Sequence, residues 1–230
     1  MLARVFIPNA LMLKVVVPTL TQTLGSGGIM PRSKFLGRHI MIKGEFADLL
    51  LSGRKKTTIR LGHVIPRYQE VIVHGHGRPL CKARITNVTY KKVRDLTEED
   101  AIKDGFSSLS ELYKALKETY GNIRPDMEVT IIELQVEKVF TELDYKDPYL
   151  GLDPVDVARL GLRYLRSRLP ESDLRILEEV VRSNGIRGAA LKIYGSLSLK
   201  ARRSIRRVLR RVLKTLVDEG LIGSQNQRPG

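Results

Sequence analysis

From Gly53 to Arg60 the chain reads Gly-Arg-Lys-Lys-Thr-Thr-Ile-Arg, with the cations Arg54, Lys55, Lys56 and Arg60 in seven residues and two hydroxyls, Thr57 and Thr58, among them. A turn that gathers backbone N–H groups and cationic side chains is a concavity suited to anions. Ser52-Gly53 closes a short preceding helix, since glycine fits the left-handed position after a helix end. Lys56 to Arg60 is rich in β-formers, and the period of two along a strand puts Thr58 on the same face as Arg60. The spacing predicts a pocket containing Lys55, Thr58 and Arg60. The plainer alternative is a solvated basic turn.

A second chemical feature lies in the tail. From Ser198 to Leu216, Ile205, Val208, Leu209, Val212, Leu213 and Leu216 recur at helical spacing as one apolar stripe. Lys200, Arg202, Arg203, Arg206, Arg207, Arg210, Arg211 and Lys214 fill most of the rest, and no acidic residue follows until Asp218. These cations lack local i,i+4 partners. The pattern predicts a helix that contacts phosphates. The alternatives are a solvated helix packed on the rest of the fold and a membrane-surface helix, although its apolar face has no Trp or Phe.

The remaining reactive side chains suggest little. His74 and His76 are two apart without a close acidic or Cys partner, so they read as surface-turn residues and not as zinc ligands. Cys81 is alone, which excludes an internal disulfide and a multi-Cys metal site and predicts a structural thiol. No metal or other cofactor is expected.

The elements that must position these groups follow from pattern. Strands are predicted at His39–Lys43, Lys56–Arg60, Glu70–His74, Leu80–Val88 and Glu128–Phe140, the middle ones alternating as half-buried strands do. Gly75, Gly77 and Pro79 supply a hairpin turn. Short helices are expected at Glu45–Leu51, after Thr97 with a capping box closed by Asp100, and from Ser107 or Ser108 to Tyr120. Helical spacing dominates beyond Asp153, in segments 153–168, 172–183 and 198–219, with a shorter segment from Ile186 to Tyr194. The order of the last three, with turns at Asn184-Gly185 and Gly195-Ser196, is similar to a helix-turn-helix or winged-helix unit. The expected organisation is an N-terminal extension (1–37, with one short strand at Leu11–Val17 and a Gly/Ser break after Leu24), an antiparallel β domain with inserted helices (38–147) and a basic helical domain (148–230). The fold class is α+β.

Charge bears on partners. Forty Lys+Arg against 25 Asp+Glu give a net charge of +15 and a pI near 10.1. Residues 1–94 carry 17 basic and 3 acidic residues, residues 95–150 carry 6 and 14, and residues 151–230 carry 17 and 8. Two basic zones separated by an acidic one predict two surfaces for a polyanion. A diffusely basic surface of a thermophilic protein is the bland alternative. No run approaches the roughly 18 apolar residues of a membrane span. Pro8, Lys14 and Pro18 interrupt the apolar start, so no signal peptide is expected and the protein reads as cytoplasmic.

The turn at 53–60 also resembles the Gly-x-Lys-x-x-x-x-Arg signature of ASCH domains, which are relatives of the PUA fold. A second block, Leu96-Thr-Glu-Glu-Asp-Ala-Ile-Lys-Asp-Gly-Phe106, follows at the spacing of that family and leads through Ser110-Glu-Leu-Tyr113 and Tyr120-Gly121 to a closing strand. The resemblance spans residues 38–140 and implies a β-barrel of five or six strands, with an RNA- or nucleoside-binding cleft beside Lys55. One branch of the family is similar to an amidohydrolase acting on N4-acetylcytidine. There a Lys, a Thr three residues later and a Glu in the second block do the chemistry. Those positions fall on Lys55, Thr58 and Asp104, the last one methylene shorter than Glu. A threonine hydroxyl needs a base to become a nucleophile, and a desolvated lysine can serve. The expected function is RNA binding through this cleft and the basic helix. The alternatives are that hydrolase and a DNA-binding regulator led by the C-terminal helices.

Overall fold

The computed structural model describes residues 34–223. The strand expected at Leu11–Val17 and the Gly/Ser break lie outside the described residues. Seven strands and seven α-helices make up the described part: β1 (Lys34–Leu36), β2 (His39–Met41), α1 (Ala47–Leu51), β3 (Thr57–Leu61), β4 (Val64–Pro66), β5 (Glu70–Gly75), β6 (Arg78–Lys92), α2 (Glu98–Lys103), α3 (Leu109–Tyr120), β7 (Glu128–Val139), α4 (Pro154–Tyr164), α5 (Glu171–Arg182), α6 (Ile186–Tyr194) and α7 (Leu199–Asp218).

One sheet runs in the order β2-β5-β6-β7-β3, and β1 and β4 form a separate parallel ribbon. All pairs in the larger sheet are antiparallel except β2 with β5. Register shifts interrupt β6 against β7 at Lys82/Ala83 and Ile85/Asn87, and such bulges bend a strand. The sheet curls into a half-barrel, and its two edges come within reach of each other: the Arg60 guanidinium on β3 donates to the Met41 carbonyl on β2. The β5–β6 hairpin turns through His76 and Gly77, both at positive φ, as a two-residue type I′ loop requires.

Sheet residues serve three cores. Val71, Val73, Ile132 and Leu134 point inside the half-barrel with Leu50 of α1. Ile59, Val129 and Ile131 point the other way and pack under α2 and α3, against Ala101, Leu112 and Leu116. Ile72 and Phe140 join the core of the helical region with Val157, Leu177, Leu209 and Leu216. This corrects the half-buried reading of β5. Its outer face is covered by α4, so both faces are buried.

The helical region has local causes. Asp153-Pro154 opens α4 with proline in the first turn, where no N–H partner is lost. Gly195, left-handed at φ 63°, ends α6, and the Ser198 hydroxyl caps α7 by accepting from the Ala201 N–H. Among the described residues no strand follows α7.

Candidate functional site

The turn after α1 is stitched down before any side chain is considered. Gly53 sits at φ 73°. The Lys55 N–H donates to the Leu49 carbonyl at 2.8 Å, and the Lys56 N–H donates to the Lys103 carbonyl at 2.7 Å, which ties the turn to the end of α2. The expected capping box is present: Thr97 and Asp100 exchange hydrogen bonds at the start of α2. At the other end Gly105 takes φ 92°, and a Cβ there would crowd Leu49 and Phe46 at 3.3 Å. That glycine lets Asp104, the C-terminal cap of α2, face the Lys55 turn.

Lys55 and Asp104 meet as a buried pair, 3% and 6% exposed. The Lys55 Nζ donates to Asp104 Oδ1 at 2.8 Å and also to the Asp104 carbonyl, and it lies over the Phe46 ring at 4.7 Å. Burial pulls the lysine below its ordinary range. The charge and hydrogen bond of Asp104 oppose that pull, and Arg60 adds to it. Burial likewise pushes the Asp104 carboxyl up, with Lys55 and Arg60 pulling it back. Both shifts favour neutral partners, so desolvation outweighs the pair's attraction.

Around this pair lies a cavity of about 290 Å³. Lys55, Thr58, Arg60 and Asp104 line one side, and Met41, Phe46, Phe106, Leu116 and Tyr120 supply apolar walls. The structure therefore brings together Lys55, Thr58 and Arg60, as the period of two predicts, and adds Asp104 across 49 residues of chain. A hydroxyl from outside the pocket that the spacing predicts also reaches the carboxylate: Thr57 Oγ1 is 3.5 Å from Asp104 Oδ1. Arg54 and Lys56 are exposed and do not line the cavity. Lys55 differs from the reading as a phosphate-contacting cation, because its ammonium is sealed from solvent and held by two acceptors.

The cations of α7 form a different surface. Lys200, Arg203, Arg207, Arg210, Arg211 and Lys214 are exposed, while Arg202 and Arg206 are half-buried. Arg211 is not free of partners, for it pairs with Asp173 of α5. The apolar stripe is buried as its spacing requires: Ile205, Val208, Leu209, Val212, Leu213 and Leu216 all face the helical core.

His76 lies exposed in the β5–β6 turn as expected, but His74 departs from the sequence reading. His74 is fully buried and not in a surface turn, because α4 covers that face of β5. Its Nε2 is 2.8 Å from His39 Nδ1, and its Nδ1 is 2.5 Å from the Tyr164 hydroxyl. Burial, with Arg163, Arg159 and Arg38 nearby, pulls His39 down to about 4. Burial, with His39 and Arg163, pulls His74 down to about 3. No three His, Cys, Asp or Glu side chains among the described residues are grouped to hold a metal. Cys81 is buried and its thiol is pushed up to about 12 by burial, so it is an inert packing residue.

The curled sheet, with helices inserted over one end and a cleft beside a Lys-bearing turn, defines a PUA-like α+β domain. Residues 34–138 match the family model of the ASCH domain. Solved structures similar to it include an ASCH domain from Lactobacillus crispatus JV V101 (24% identity, covering 39% of this chain and 69% of its own, TM-score 0.36). A protein from Enterococcus faecalis V583 is 22% identical over 50% of this chain and 82% of its own, with a TM-score of 0.37. The ASCH protein from Zymomonas mobilis is 15% identical over 44% of this chain and 68% of its own, with a TM-score of 0.35. No curated protein matches the chain. Among the described residues no helix is long and apolar enough to cross a membrane.

Proposed function

We propose that this protein binds RNA, with the outer face of α7 on the phosphates and the cleft beside Lys55 and Arg60 receiving a base or nucleoside. The observation that carries the reading is the line Lys200, Arg203, Arg207, Arg210, Lys214. Steps of three and four keep these exposed cations on one face of the helix, and the line extends about 21 Å at 1.5 Å per residue. Among the described residues none of the five is paired with a carboxylate, so their charge is available to a polyanion. Few groups suited to base edges stand among them, which favours backbone contact over sequence reading. The apolar walls and the few convergent polar groups of the cleft are those of a small-molecule pocket. RNA is preferred to DNA because the family's PUA relatives point that way.

The test is RNA affinity measured across a salt series for the wild type and for Arg203→Glu/Arg207→Glu/Arg210→Glu. The affinity of the wild type is expected to fall steeply with salt. The variant should bind more weakly, with a slope shallower by about 0.7 for each phosphate of a single strand that it leaves unneutralised. A variant with the wild-type slope would remove α7 from the interface.

The Lys55–Asp104 pair supports a second reading, in which the cleft hydrolyses an N4-acetylcytidine-type nucleoside. Burial works toward a neutral Lys55 amine, the form able to take a proton from the Thr58 hydroxyl. Acetate released from N4-acetylcytidine by the wild type, and by neither Lys55→Ala nor Thr58→Ala, would establish it. No release by folded wild-type protein would leave the cleft as a binding site.

A further inference from the structure

Three aromatic rings that the cleft and α7 do not use lie on or beside the β1–β4 ribbon: Phe35 on β1, Tyr68 after β4 and Tyr90 on β6. Phe35, Tyr68 and Tyr90 are 58%, 40% and 40% exposed, so each ring keeps a substantial part of its surface open to a partner. Each ring is backed by a cationic or imidazole group. The Arg67 guanidinium lies 4.1 Å from the Phe35 ring centre, and the Arg38 guanidinium lies 3.8 Å from that of Tyr68. His63 stacks on Tyr90 with centroids 4.1 Å apart and planes 12° from parallel.

Register places the Phe35–Arg67 and His63–Tyr90 pairs near each other. β1 and β4 run parallel with Phe35 opposite Ile65. The alternation that buries Val64 puts His63, Ile65 and Arg67 together on the other face. Tyr90 is held beside the ribbon by its hydroxyl, which donates to the Val64 carbonyl at 3.2 Å, and Glu128 fixes the His63 ring at 2.7 Å. The Tyr68–Arg38 pair lies just past the ends of β4 and β1, with Arg38 close to Glu70 and Asp156. From His63 to Arg67 the row covers about 13 Å, at roughly 3.3 Å per residue. Both guanidiniums sit over rings and are unpaired with a carboxylate among the described residues.

Exposed rings, each backed on one side by a group that orients it, present their open sides to flat partners. Bases of a single strand stack on such rings without regard to sequence, while arginines beside them attract the phosphates. Duplex nucleic acid keeps its bases stacked internally and offers nothing for the rings to take. We infer that the outer face of the β1–β4 ribbon is a stacking platform for single-stranded nucleic acid, separate from the cleft. The inference rests on the nucleic-acid reading above and adds the strandedness of the ligand and the surface that selects it.

The test compares the full chain with Phe35→Ala/Tyr68→Ala, two exposed positions whose rings make no hydrogen bonds. The probes are labelled short oligouridylate and oligothymidylate, which separate RNA from DNA, and an RNA duplex. The variant is expected to lose tenfold or more in affinity for the single strands, with duplex affinity and salt slope unchanged because no cation is removed. Photocrosslinks from 5-bromouridine in the oligonucleotide should fall on Phe35, Tyr68 or Tyr90. Single-strand binding equal to wild type, or an equal loss on the duplex, would overturn the platform while leaving RNA binding intact. A wild-type chain that binds none of the three probes would overturn both.

Discussion

Lys55 illustrates how much a residue's role depends on what lies across from it. By composition it is one of four cations in a turn, yet its ammonium is the most sealed of them and is spent on Asp104. Its bond to the Asp104 carbonyl also neutralises the negative end of α2, where a cation is favoured. Removing one member of a buried pair leaves the other desolvated and uncompensated, whereas removing both does not. Lys55→Met is therefore expected to lower stability by about 3–5 kcal/mol, and Lys55→Met/Asp104→Asn to recover most of that loss. The deficit of the single variant should grow as pH rises, because an isolated buried Asp104 escapes its cost by holding a proton that higher pH removes. Urea midpoints of the two singles and the double give the coupling directly. Additive effects would mean that the pair contributes geometry to the cleft and no stability of its own.

Whole elements were more legible than single contacts, for physical reasons. Glu128–Val139 and the apolar stripe of α7 announce themselves because one residue in two, or one in three or four, must face a core. The Thr97/Asp100 box is legible because a capping interaction is closed within four residues. Lys55 beside Asp104, His39 beside His74 and the β1–β4 ribbon are set by pairings distant in sequence, and two of those pairings are parallel, with no hairpin to advertise them. The closeness of Thr57 to Asp104 escaped the period-two argument, which concerns the cleft face alone. Helix crossings are equally silent in sequence. Gly161 of α4 lies where α7 crosses: a Cβ there would come within 2.6 Å of Val212 Cγ1 and 3.3 Å of Leu177 Cδ1. Helix propensity alone would make Gly161→Ala stabilising by about 1 kcal/mol. The crossing reverses the sign, since overpacking a tight core costs about 1–3 kcal/mol and the branched Val212 has little room to yield. A melting temperature lower than wild type by a few degrees, restored by Gly161→Ala/Val212→Ala, is the expected outcome. A more stable single variant would show that the crossing relaxes.

At the scale of the molecule, the half-barrel and the helices are joined by shared interior and not by a surface contact. Ile72 and Phe140 enter the helical core, and Lys82 of β6 reaches Asp153, just before α4, and Asp156 within it. The His39–His74–Tyr164 chain crosses the same junction, from β2 through β5 to α4. Its two imidazoles titrate at about 4 and about 3 when folded, below the ordinary 6.5 that they regain on unfolding. The unfolded chain therefore binds more protons than the folded one between those limits, and stability must fall as pH drops below about 6.5. Above 6.5 both states hold neutral rings and the relay adds no pH dependence. Most carboxylates titrate lower, so the interval from about 6.5 to 5 reports mainly on histidine. Melting followed in that interval should show wild type losing stability steadily as acid is added. His39→Gln/His74→Gln, less stable at pH 7 through lost packing, should show a flatter profile. Parallel profiles for the two proteins would mean that the relay keeps its neutral form at no cost to folding, and that the acid sensitivity of the junction arises elsewhere.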